Sequence, residues 1–316
     1  MEDLDLTEQA ALLSRGEVTP RELIEASIAR IDKFEPQLSA ITTRQFEQAL
    51  IAADNLPKGT LLGGAPFLHK DLLDVPGFTR SDGAHPLLHQ QPTITPPLVK
   101  ALKEAGLIFL AATNTPEFAS LPVTANQTFG RTKNPWNLTK TSAGSSGGSA
   151  VAIAAGYAAA AHATDGAGSI RMPSSFCGTF GFKPSRGRLL SGEADGSHPL
   201  LKHHHAITKT VRDSALLFDI TQDRSRGAAH KALKPIKHAG HKKLKIGLMF
   251  DNIRSTKVEA PIRQTIEAMA ELCLVMGHDV IELSMTEQNG AWFWQHVENM
   301  FLIRMPFLVA AIEQAT

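Results

Sequence analysis

Two short stretches and one lysine carry residue types suited to nucleophilic chemistry. Residues 141–156, TSAGSSGGSAVAIAAG, set Ser145 and Ser146 among glycines; residues 164–173, TDGAGSIRMP, set Ser169 on a second glycine turn; and Lys70 ends the apolar run APFLHK. A serine hydroxyl attacks a carbonyl well only beside a base, and a lysine amine serves if desolvation or nearby positive charge keeps it neutral. A second hydroxyl can stand between the two, because it accepts one proton while donating another. Glycine loses more backbone freedom on folding than any other residue, so two such turns point to a held group rather than to filler.

Other chemistries fit less well. A phosphate cradle needs G-x-x-x-x-G-K-[ST], which is absent, and a dinucleotide fingerprint needs a third glycine where GAGSIR has Arg171. Gly144 to Gly148 satisfies the G-x-S-x-G nucleophile elbow with Ser146 at its centre, yet that elbow follows a hydrophobic strand and here NPWNLTKT precedes it. A Ser/Asp/His hydrolase drawing on His203, His204 or His205 is the alternative, although three histidines in a row read more simply as an exposed loop. Taken singly, Lys70 is a solvated charge, the Ser/Gly run a loop, and Asp165 or Arg171 a surface ion.

The elements that must position these residues alternate. TPRELIEASIARIDKF predicts a helix with Thr19 as N-cap, Pro20 at the first position and Glu22 completing a capping box. PPLVKALKEA reads as a helix and GLIFLAATN (106–114) as a buried strand; KLKIGLMF, PIRQTIEAMAELCLVMG and HDVIELS repeat strand, helix, strand. AVAIAAGYAAAAHATD reads on propensity as one helix from about 149 to 163. The expected fold is α/β, with a mixed, mostly parallel central sheet flanked by helices on both faces.

Composition excludes several classes. With 316 residues, 43% apolar, 20% charged and a net charge of +1, the chain has material for a large core and no global attraction to nucleic acid or anionic membrane. No apolar run reaches the ~20 residues of a spanning helix. The acidic start MEDLDLTEQA lacks signal-peptide features, and Cys177 and Cys273, the only cysteines, form no C-x-x-C pair, which suits a cytoplasmic protein without disulfides or a cysteine zinc site. Residues 224–250 carry eight lysines and arginines and no acid, but no aromatic before Phe250, so they read as a solvated connection.

APFLHKD, AGSSGGSA and TDGAGSIRMPSSFCGTFGFKPSRGR, in that order, resemble the amidase signature family of serine hydrolases, with further likeness in NPWN (134–137) and ITKTVRDSALLFD (207–219). The resemblance implies Ser169 as nucleophile, Ser145 as the relay serine in a cis peptide with Gly144, and Lys70 as base. It implies an oxyanion hole from the N–H groups of Gly166, Ala167, Gly168 and Ser169, with Asp165 and Arg171 holding the turn and Ser146 in support. It also ends the helix near Ala155 and starts a strand that leads to Asp165. Ala167 and His69 depart from the family's usual glycine and aliphatic residues.

The implied reaction converts a small-molecule carboxamide to a carboxylate and ammonia or an amine through a Ser169 acyl-enzyme, without metal or organic cofactor. The alternatives are a remnant with weak or no turnover, or an amidotransferase A-type subunit. Family members continue beyond residue 316, and FLVAAIEQAT (307–316) has a helix-like pattern without a stop signal. The chain is therefore expected to be one domain, 1–316, incomplete at its C-terminus, with exposed apolar surface and a tendency to self-associate.

Overall fold

Strands and helices alternate along the chain in the computed structural model, which describes residues 4–85, 90–198, 200–236, 240, 242–250 and 257–284. Contacts divide the chain into two units, Met1–Lys237 and His238–Thr316, where the sequence suggests one domain. The pattern FLVAAIEQAT lies outside the described residues.

The first unit runs α1 (Leu6–Arg15), α2 (Pro20–Leu38), β1 (Ile41–Arg44), α3 (Phe46–Asp54), β2 (Pro66–Lys70), α4 (Pro97–Glu104) and β3 (Ile108–Thr113). Two small hairpins follow, β4 with β5 (Ala125–Asn126, Gly130–Arg131) and β6 with β7 (Lys133–Asn134, Asn137–Thr141). Then come α5 (Gly147–Ala154), β8 (Ala160–Asp165), α6 (Arg171–Cys177), β9 (Phe180–Gly181), β10 (His203–Thr208) and α7 (Val211–Thr221). The main sheet has the order β1-β3-β2-β8-β10-β9. Its middle strands β3, β2 and β8 are parallel, and β1, β10 and β9 add antiparallel pairs at the two sides.

Side-chain alternation decides which helices cover which face. Leu68, Leu110, Ala161 and Ile207 enter one core with Ile24 and Ile31 of α2, Ala49 of α3 and Val151 of α5. Their strand neighbours Phe67, Phe109, Ala160 and Ala206 enter the other, with Leu6 of α1, Leu98 of α4 and Leu217 of α7. The Thr19 capping box forms as expected, but α2 runs on to Leu38. The alanine-rich tract divides into α5 and β8 because Gly156, at φ 75, follows the last helical turn and the tail then pairs in the sheet.

The two chain ends of this unit are joined through Asp213, whose buried carboxylate accepts from Leu6 N (2.8 Å), Thr7 N (2.9 Å) and Thr7 Oγ1 (2.7 Å) at the start of α1. Removing it leaves these donors without their partner beside a helix N-terminus. Asp213→Ala is expected to lower stability by about 2–4 kcal/mol. Urea unfolding reads this directly, and a change below about 0.5 kcal/mol would contradict it.

The second unit contains β11 (Lys245–Leu248), α8 (Ala260–Val275) and β12 (Asp279–Glu282), with β11 and β12 parallel. α8 has no buried residue. The basic residues between Arg224 and Lys234 lie outside helices and strands and are exposed or half-buried, as the solvated-connection reading anticipates. Among the described residues no helix is long and apolar enough to cross a membrane.

Candidate active site

Lys70 is the last residue of β2 and is fully buried, because β3 and β8 flank its strand. Its Nζ donates to Ser145 Oγ at 2.7 Å and to Thr164 Oγ1 at 3.0 Å. Ser145 stands between β7 and α5, after a Gly144–Ser145 peptide that is cis. The following amide, Ser146 N–H, donates to the Ser169 carbonyl at 3.2 Å, so the two glycine-serine turns are directly bonded to each other. Thr164 has no marker in the sequence; its role follows from its place one residue before the end of β8.

Ser146 is fully buried, and its hydroxyl donates to the Thr164 carbonyl at 3.1 Å and accepts from Thr164 N–H at 3.3 Å. It therefore fastens the first turn to β8. Lacking exposure, it is a poor nucleophile, which weakens the elbow reading.

The second turn is organised around Asp165. Its carboxylate accepts from Gly168 N (2.7 Å), Ile170 N (3.2 Å), Arg171 N (3.4 Å), Arg171 Nε (2.9 Å) and Arg171 Nη2 (3.0 Å). Burial alone would raise its pKa, but the guanidinium and the amides outweigh burial and hold it below the usual carboxylate value. The Gly168 amide is thus spent on Asp165. This corrects the expectation that Gly168 donates to an oxyanion; at φ 119 it supplies the bend instead. Among the described residues, the N–H groups of Gly166, Ala167 and Ser169 have no protein acceptor. Ala167 lies outside the left-handed region, so its methyl group brings no backbone strain.

Gly166 has a steric reason. A Cβ there would stand 2.4 Å from the Leu201 carbonyl oxygen, which is backbone and cannot swing away. Gly166→Ala should displace the turn, and about 10²-fold in turnover is expected to be lost with the rest of the fold retained. Anilide hydrolysis and circular dichroism on the variant check this, and near-normal turnover would exclude Gly166 from the machinery.

The triple histidine is not the exposed loop suggested by its sequence. It opens β10, where His203, His204 and His205 pair with Asp165, Thr164 and Ala163, and His204 and His205 are buried. Each ring finds a partner: His203 Nδ1 on the Asp165 carbonyl (2.9 Å), His204 between His162 Nε2 (3.0 Å) and Glu193 Oε1 (3.2 Å), and His205 Nε2 on Ser214 Oγ (2.8 Å). Burial lowers all three pKa values, that of His205 to about 4. None of the three rings hydrogen-bonds to a site serine among the described residues. His69, the other departure, is also buried, packed edge-on against Phe78 with centroids 4.6 Å apart. Burial, with Lys103 adding repulsion, takes its pKa down to about 3, so it adds no charge beside Lys70.

A buried amine thus touches the Ser145 hydroxyl, on a turn whose next amide is bonded to the Ser169 carbonyl, beside amide donors with open capacity. Known proteins are similar to this chain in sequence and fold. The chain is 39% identical to an acylamidase of Rhodococcus erythropolis over 224 residues, covering 69% of this chain and 47% of that protein. It is 33% identical to the A-type subunit of the glutamyl-tRNA(Gln) amidotransferase of Alkalilimnicola ehrlichii over 297 residues, covering 90% of this chain and 61% of that one. The crystal structure of a bacterial aryl acylamidase of the amidase signature family superposes with a TM-score of 0.79 at 28% identity, covering 89% of this chain and 61% of that one. The chain thus spans about half to three-fifths of the length of these relatives. A family model, Amidase, matches residues 22–297, and with that span matched the chain belongs to the Amidase family.

Proposed function

We propose that the chain hydrolyses a small-molecule carboxamide through an acyl-enzyme on Ser169. The observation that carries this reading is the 2.7 Å contact of the buried Lys70 Nζ with Ser145 Oγ, on a turn bonded to the Ser169 carbonyl. Ser169 Oγ attacks the amide carbon while its proton passes to Ser145, whose own proton passes to Lys70. Lys70 enters as the neutral amine: it directs its lone pair to Ser145 and keeps an N–H for Thr164. The developing oxyanion is met by the N–H groups of Gly166, Ala167 and Ser169. The carbon–nitrogen bond then breaks as the leaving nitrogen takes the proton back along the same path. Water, deprotonated by the same relay, attacks the ester, giving a carboxylate and the free serine.

The same reading takes a cytoplasmic location and self-association of the chain, and needs no metal. Amide transfer is the second reading, favoured by the likeness to the glutamyl-tRNA(Gln) amidotransferase. The test is labelling with a fluorophosphonate followed by peptide mapping, which needs no knowledge of the substrate. Label on Ser169 supports the assignment, whereas label on Ser146 or none at all overturns it. Release of ammonia or amine by the chain alone separates hydrolysis from transfer.

A further inference from the structure

The start of the second turn is packed against the start of β10. His203 Nδ1 donates to the Asp165 carbonyl at 2.9 Å, and the Leu201 carbonyl oxygen lies against Gly166, 2.4 Å from where a Cβ would stand. Asp165 and Gly166 lead directly into the amide donors, so the position of residues 201–203 is passed to the turn through backbone contacts. The donors have no such hold of their own: among the described residues the N–H groups of Gly166, Ala167 and Ser169 have no protein acceptor.

One carboxylate outside the proton relay holds that segment. Glu193 Oε1 accepts from Lys202 Nζ at 2.8 Å and from His204 Nε2 at 3.2 Å, the residues on either side of His203. Burial alone would raise the Glu193 pKa, but the His204 bond and the Lys202 charge bring it to about 2, so the group is an ionised acceptor. A neutral His204 that donates from Nε2 accepts at Nδ1, which takes the Nε2 proton of His162 at 3.0 Å and ties the segment to β8 as well. Gly192 admits the ring, because a Cβ there would stand 2.3 Å from His204 Cε1.

Glu193 itself stands on a fixed base. Its N–H donates to Ser191 Oγ at 2.9 Å, and the Ser191 carbonyl accepts from Leu98 N in the first turn of α4 at 2.9 Å. The preceding Leu190 N–H donates to the Thr221 carbonyl at the end of α7 at 2.8 Å. The clamp therefore carries the position of two helices to the turn, through contacts that the relay does not use.

We infer that Glu193 is a positioning residue for the Ser169 turn: through Lys202 and His204 it holds residues 201–203 against Asp165 and Gly166 and so fixes the amide donors. This rests on the hydrolase reading above and adds a residue to it. Donors that drift lose their grip on the developing oxyanion rather than on the bound substrate, so the loss falls on the chemical step.

The experiment measures the rate of fluorophosphonate labelling at Ser169, with circular dichroism and urea unfolding on each variant. Glu193→Ala opens both arms of the clamp and should slow labelling of the folded protein by about ten- to a hundredfold. The loss should lie in the maximal labelling rate and not in the half-saturating probe concentration. Glu193→Gln keeps an oxygen acceptor at the same reach and should stay within about threefold of the parent. A purely structural Glu193 would shift the urea midpoint and leave the labelling rate of the folded protein unchanged, which overturns the inference and leaves the hydrolase reading standing. Equal slowing by the two variants also overturns it, because charge rather than geometry would then be responsible. Should Glu193→Ala not fold, Lys202→Met carries the test by opening one arm: slowing by about threefold or more supports the clamp, and the parent rate overturns it. Absence of label on Ser169 in the unmodified chain overturns both readings.

Discussion

Ser169→Ala is expected to remove fluorophosphonate labelling and to lower amide turnover by about 10⁴-fold or more, because the proposed mechanism carries the acyl chain on this residue. Lys70→Met keeps the buried volume but removes the base, and should cost about 10³–10⁴-fold. Ser145→Ala interrupts the path between the two and should fall in the same range. In the proposed relay these groups act as one unit, so the Lys70→Met/Ser145→Ala double variant should be no slower than the worse single variant. Ser146→Ala provides the contrast. Its hydroxyl fastens Thr164 rather than moving a proton, so the expected change is mainly a stability loss of about 1–3 kcal/mol. Full turnover by Ser169→Ala, or independent multiplying losses at Lys70 and Ser145, would break the relay assignment.

Acid is expected to destabilise the protein through its buried histidines. His69 takes up a proton in the folded protein only near pH 3, against 6.5 as its ordinary value. Between those values the unfolded chain binds more protons, so stability falls as pH falls; above 6.5 the ring is neutral in both states and no penalty applies. His205, lowered to about 4, acts in the same direction, as do His162 and His204. At pH 5.5 the penalty from one such histidine is about 1.4 kcal/mol. His69→Phe removes one proton from the balance and also removes the Nδ1 atom that has no hydrogen-bond partner among the described residues. The variant should match or exceed the parent near pH 7.5 and gain about 1.4 kcal/mol on it at pH 5.5, measured by urea midpoints at both values. Parallel curves at the two pH values would show that His69 does not titrate in this window.

What the sequence determined by itself was local or carried by whole motifs. The α2 start was legible because Thr19, Pro20 and Glu22 act on their own turn. The strand at Ile108–Thr113 was legible because a continuous apolar run has to be buried on both faces. The candidates Lys70, Ser145 and Ser169 were legible because three motifs occur in one order, and the structure places the first two in contact. The division of the alanine-rich tract was not legible from propensity: alanine favours helix anywhere, and only the gap between β2 and β10 makes residues 160–165 a strand.

Tertiary structure alone decided the rest, because those properties belong to pairs of residues distant in the chain. The histidine run is hydrophilic by composition, yet strand pairing buries His204 and His205, and burial disfavours their charged forms. Thr164 became a partner of Lys70 only through the meeting of β2 and β8. Gly168 looked like one donor among four, but the carboxylate of Asp165 lies 2.7 Å from its amide and takes it, while the N–H groups of Gly166, Ala167 and Ser169 keep no protein acceptor among the described residues.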